Sequence, residues 1–235
     1  MKLIIRKVIM LGIISTILAF YYLAFSTSTN QEKLQAITDQ IDTALSKIEQ
    51  KGNQPRVLSA ELIKELSIFA NSCPLEKVLV DGQLTTELYS VEKGKLLLAL
   101  LNRKLDPSTY KKIFEMVSFQ NAFLKDANLK DTNLSRIQLS RAYLVGVELS
   151  NSNLEGVNLY KANLSKANLN ATNLEIANLR EAILSDTDMS NAILKNAYLI
   201  DAKLGGKIKL DNADFTGANL NGIDFRKGRP PFVKP

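Results

Sequence analysis

From Val117 onward the chain repeats every five residues, and no feature constrains its fold more. Phe119, Leu124, Leu129, Leu134 and their successors hold one register through Leu204. One extra residue in the Gly205-Gly206-Lys207 stretch shifts the phase, and Leu210, Phe215, Leu220 and Phe225 resume it, for about 22 repeats. Two residues before each large apolar position stands a small or β-branched one, from Ala122, Ala127 and Thr132 to Ala218 and Ile223. A period of five matches neither a helix at 3.6 nor a strand at 2, so the chain must turn once per repeat. Two inward positions flanking one outward position make a short extended piece, and the other two residues make a corner. The inward side chains then stack into one core, each large one contributing about 1.5 to 3 kcal/mol before entropy is subtracted.

Segments such as AYLVG, ANLSK, ANLNA, ADFTG and ANLNG over residues 117–227 resemble the pentapeptide repeat family, with its consensus A(D/N)Lxx. The resemblance implies a mainly β solenoid, a right-handed quadrilateral β-helix with four pentapeptides to a coil. About five and a half coils spaced near 4.8 Å would make a rod roughly 26 Å long. Residues 20 apart would lie above one another. Asn158, Asn163, Asn168, Asn173 and Asn178 belong to the consensus and read as structural hydrogen-bonding positions.

The amino end carries a different signal. Lys2, Arg6 and Lys7 precede an uncharged run from Val8 to Phe25, and no charge follows until Glu32. Eighteen mainly apolar residues at 1.5 Å each span about 27 Å, close to the hydrocarbon thickness of a bilayer. Tyr21 and Tyr22 fall where rings favour the interface, and the basic flank keeps the amino end cytoplasmic. Residues 1–28 therefore read as a transmembrane signal anchor in the inner (plasma) membrane, with the body periplasmic or extracellular. A cleavable signal peptide is the competing reading, supported by small residues around Ala24, Ser26 and Ser28.

Residues 29–56 form a linker and an amphipathic stalk in which Leu34, Ile37, Ile41, Ala44 and Ile48 alternate at three and four. That seam suits either self-association into a homo-oligomer or packing on the chain's own domain. Residues 57–116 read as a small, mainly helical capping region. It holds a Ser59-capped helix, a turn at Asp81-Gly82, the helical run EKGKLLLALLNRKL and a helix opened by Asp106-Pro107. Residues 228–235 complete a basic tail.

Composition narrows the chemistry. With no His and one Cys, the chain can build no Ser-His-Asp triad, no Cys-His pair, no His-ligated metal site and no intrachain disulfide. Asp186 and Asp188 are neighbours of the kind that arise by chance on a charged solenoid, and Cys73 reads as a buried apolar side chain. The expectation is a non-enzyme without cofactor or metal. The net charge of +6 sits at the two ends, since residues 117–225 carry 11 basic and 12 acidic side chains. A nearly neutral rod argues against nucleic acid, and against the DNA mimicry by which family members bind gyrase. What remains is an interaction module with an unknown protein partner. The candidate partner-binding face is the column of Phe123, Tyr143 and Ile183 with Val145 beside it, available to a partner or to the protein's own middle helices. Tyr160 and Tyr198 give a weaker signal on a neighbouring face.

Overall fold

The computed structural model describes residues 29–50 and 55–224; the expected anchor at 1–28 and the basic tail at 228–235 lie outside these. Among the described residues no helix is long and apolar enough to cross a membrane.

The repeats make a four-walled β-helix. In most of them the carbonyl of the central Leu accepts the N–H three residues on, as from Ala142 to Leu139 at 3.1 Å and from Ala162 to Leu159 at 3.0 Å. The third residue of that turn takes a positive φ every five residues from Asn121 to Asp201, as in a type II turn. The outward residue before each central Leu pairs in parallel with its equivalent one coil on, which gives the ladder Phe123, Tyr143, Asn163, Ile183 and Lys203 on one wall. The offset is 20 residues up to the Ile183–Lys203 pair. It becomes 21 at Asp188–Lys209, Ile193–Asp214 and Tyr198–Asn219, so the extra residue near Gly206 is absorbed in one corner. The inward Leu and Ala side chains of the central coils are fully buried.

Local chemistry explains the consensus. The outward Asn or Asp accepts the N–H two residues on, for example Ser165 N–H to Asn163 Oδ1 at 3.1 Å, and so satisfies a corner donor that the ladder leaves over. Hydroxyls at the small inward position are satisfied as well: Ser152, Thr172 and Thr187 donate to the carbonyls of Leu129, Leu149 and Leu164.

Four helices and a hairpin close the amino end. Helix α1 spans 29–49. Helix α2, Ala60–Ser72, starts at Ser59, whose side chain accepts the Leu62 N–H. Strands β1, Leu79–Val80, and β2, Gln83–Leu84, form a hairpin around Asp81 and Gly82, both at positive φ as a tight two-residue turn requires. Helix α3, Val91–Asn102, is capped by Ser90, and α4, Pro107–Met116, by Asp106 with Pro at its first position.

Ser90 also extends the solenoid. Its N–H bonds the Asn121 carbonyl at 2.8 Å and its carbonyl accepts the Phe123 N–H at 2.9 Å, so it pairs in parallel with the first coil where a preceding coil would lie. Helix α3 follows so closely that a Cβ on Gly94 would stand 2.1 Å from the Phe123 carbonyl oxygen; only glycine fits. Phe114 of α4 meets Phe119 edge-on at 6.4 Å.

The heptad seam of α1 faces inward. Leu34, Ile37, Ile41 and Leu45 are buried in the common core, with Ala44 and Ile48 packed against it. Arg103 clamps the helix with two bonds of 2.7 Å to the Asp42 carboxylate. Of the two uses open to this seam, packing on the chain's own domain is the one observed, which leaves no free apolar stripe on α1 for self-association.

Candidate partner-binding surface

The wall that begins with Phe123 and Tyr143 is partly covered by the chain itself. The two rings stack at 5.1 Å and 15°, and Tyr89, just after the hairpin, sets its edge on Tyr143 at 5.0 Å. Tyr89 lies 6.2 Å from Phe123. The cover is therefore the hairpin segment rather than the helices expected for it. Burial, with Glu87 and Tyr143 nearby, pushes the Tyr89 hydroxyl up to about 12. At the tip, Asp81 reaches Lys125 of the first coil at 3.6 Å, and Lys125 also pairs with Asp126 at 2.9 Å.

Farther along the same wall the surface opens. Beneath the hairpin a crevice of about 370 Å³ runs past Tyr89 and Asn163 to Ile183 and Lys203, with Arg141, Lys161 and Glu181 along its corner. Ile183 is half-buried there. Val145 is half-buried at the adjoining corner, where its carbonyl accepts the Asp126 N–H at 2.9 Å.

Tyr160 and Tyr198 have separate partners. The Tyr160 hydroxyl donates to Glu181 at 3.0 Å, and Lys161 lies 5.1 Å from the Tyr160 ring while pairing with Glu181 at 3.2 Å. Those two donors hold the Glu181 carboxyl below its ordinary range. Tyr198, 47% exposed, has the Arg180 guanidinium 5.6 Å from its ring centre. Of the six candidates, Phe123, Tyr143 and Ile183 share one ladder; Tyr198 stands on another wall, and Val145 and Tyr160 occupy corners.

The most exposed apolar pair belongs to none of these positions. Leu79 and Leu84 face each other across the hairpin and are 66% and 62% exposed, with Leu88 and Leu75 also open. Their pairing was available in the sequence, since a two-residue turn at Asp81-Gly82 places Leu79 opposite Leu84. Their exposure depends on which face of the hairpin meets the rod.

Among the described residues no group of three or more His, Cys, Asp or Glu side chains could hold a metal ion. Asp186 accepts the Lys207 N–H at 2.7 Å, and Asp188 pairs with Lys209 at 2.9 Å, so both hold adjacent coils together. Cys73 is buried, its thiol bonded to the Phe69 carbonyl at 3.4 Å and pushed up to about 11 by burial and by Glu92.

The model of the pentapeptide repeat family matches in eight copies over residues 114–144, 137–175, 173–206 and 208–227. These residues carry pentapeptide repeats. They build the four-walled parallel β-helix described above. Solved structures similar to the domain include a pentapeptide repeat protein from the Arabidopsis thaliana thylakoid lumen, 28% identical over 46% of this chain and 70% of that one, at a TM-score of 0.35. A pentapeptide repeat protein of the cyanobacterium Cyanothece 51142 is 26% identical over 45% of this chain and 86% of its own, at 0.29. One from Nostoc is 26% identical over 53% and 95%, at 0.21. Comparison with curated proteins found no significant relative. Domains of this kind serve generally as structural or interaction elements.

Proposed function

We propose that the chain is a non-enzymatic interaction module, anchored by its amino-terminal segment in the plasma membrane with the pentapeptide-repeat body on the extracytoplasmic side. The observation that carries the interaction role is the leucine pair Leu79 and Leu84, held open to solvent on a hairpin that is itself fixed to the rod through Ser90, Tyr89 and Lys125. An apolar surface displayed on a rigid support favours a protein partner. The anchor rests on the basic start and the 18-residue apolar run of the sequence. A soluble exported protein, released by cleavage near Ser26, is the alternative form of the same module.

Two measurements test this reading. Membrane fractionation with mass determination of the amino terminus and protease access from outside should give an intact Met1, membrane retention and cleavable sites beyond Glu32. A protected, cytoplasmic body would refute the placement and reopen the topoisomerase-binding alternative. A photo-crosslinking residue at position 79 or 84 should capture a discrete adduct in cells, while one at Lys130, exposed at a corner of the first coil, should not. Equal capture at all three positions would refute the hairpin as contact surface.

A further inference from the structure

A cavity of about 600 Å³ lies between α4, the turn that leads into it and the outer wall of the solenoid. Leu105, Tyr110 and Phe114 line one side. The Tyr110 hydroxyl is already engaged, donating to the Leu100 carbonyl at 3.0 Å and accepting the Leu105 N–H at 3.2 Å. Tyr110 and Phe114 stack at 5.9 Å and 28°. This side of the cleft therefore offers apolar surface with its polar group satisfied.

The charged groups are arranged differently. Lys104, Lys111 and Arg136 line the cleft, and none forms an ion pair among the described residues. Glu115 and Glu155 also line it, likewise unpaired, which leaves one positive charge in excess. A drug-sized cavity that combines an apolar side with unpaired cations is the kind of site that takes a ligand with both characters.

We propose that this cleft binds an apolar-bodied organic anion, its hydrocarbon or aromatic part against Leu105, Tyr110 and Phe114 and its carboxylate, sulfonate or phosphate head between Lys104, Lys111 and Arg136. The anion pairs with cations that make no ion pair in the fold, and its body packs on the half-buried Tyr110, beneath which Leu105 and Phe114 are already buried.

The test uses the full chain in a non-ionic detergent and two photo-probes of similar shape, anionic 4-benzoylbenzoate and neutral 4-methylbenzophenone. The anion should label peptides containing 101–115 and 132–136 saturably, and the neutral probe should label them about tenfold less. Lys111→Gln combined with Arg136→Gln should cut labelling by the anion about tenfold, leave the neutral probe unchanged and leave the thermal melt unchanged. Equal labelling by both probes, labelling scattered along the chain or an unaffected double variant would overturn the proposal. Protection by free decanoate would assign the ligand to soluble acids, and protection by phosphatidylglycerol alone would assign it to a lipid headgroup. Protection by neither would overturn it.

Discussion

One column of corner residues has a gap that substitution should close. Asp131, Asn151, Ala171, Asn191 and Asn212 share one corner of the β-helix, all at positive φ. Asn151 donates its side-chain amide to Asp131 at 3.2 Å, and Asn212 donates to Asn191 at 3.2 Å, but Ala171 interrupts the series at φ 54°. Ala171→Asn should act in two ways. An L-residue in the left-handed region costs about 1–2 kcal/mol, and Asn tolerates it better than Ala, for a gain of about 1 kcal/mol. The new amide can donate to Asn151 and accept from Asn191, repeating the geometry on either side, and two exposed neutral bonds add up to about 0.5 kcal/mol each. The total is about 1–2 kcal/mol, which for a chain of this size raises the melting temperature by roughly 2–8 °C. Far-UV circular dichroism melts of the wild type, Ala171→Asn and Ala171→Gly separate the contributions. Glycine relieves only the backbone, and its greater unfolded-state entropy takes back about 0.5–1 kcal/mol. A melt for Ala171→Asn no higher than that of the wild type would refute the argument outright, and equality with the glycine variant would refute the amide ladder.

Gly94→Ala should lower stability by at least about 2 kcal/mol in urea titrations, because the added methyl meets the backbone carbonyl of Phe123 and must lift α3 from the first coil. Leu164→Asp, which puts a charge into the buried stack, should abolish the cooperative melt of the rod. Cys73 has a folded pKa raised to about 11, so its contribution is complete below the unfolded value near 9 and is lost as pH rises toward 11. Cys73→Ala should remove that part of the alkaline destabilisation, and the native thiol should resist aromatic disulfide reagents at neutral pH. Burial alone would raise Asp188, but Lys209 and the bonds from Ser190 hold it below its ordinary range. Its contribution is therefore present above the unfolded carboxylate pKa near 4 and lost as pH falls through the lower folded value, so Asp188→Asn should flatten the acid limb of the stability curve.

The repeat region was legible because a period of five names every inward position without knowledge of the rest of the chain. Even the extra residue near Gly206 could be located from the phase of Leu204 and Leu210, and the ladder offset changes there from 20 to 21. The helix starts at Ser59 and at Asp106-Pro107 were readable for the same local reason, since these caps join residues two or three apart. The α1 seam was legible as a stripe but ambiguous as to what it meets. A hydrophobic stripe carries no address, and Arg103, which clamps Asp42 from 61 residues away, has no sequence signature. The candidate wall posed the same problem: Phe123 and Tyr143 form an aromatic column in sequence, yet Tyr89 arrives from outside the repeat to cover it.

Ser90 links the architecture of the amino end to the surface it presents. By pairing with Ala122 it occupies the ladder edge that a further coil would use, and as the cap of α3 it directs the helix over the first coil. The same pairing leaves Tyr89 immediately before it, against Phe123 and Tyr143, and fixes where the hairpin must hang. A solenoid needs its terminal edge blunted because open backbone groups invite further strand addition. Here the device that blunts it also aims the hairpin and holds Leu79 and Leu84 away from the core. Capping and display are thus one structural solution. A change that loosens the Ser90 pairing should reduce the cap's stability and disorganise the hairpin together, whereas Leu79→Ser with Leu84→Ser should alter the display and leave the cap intact.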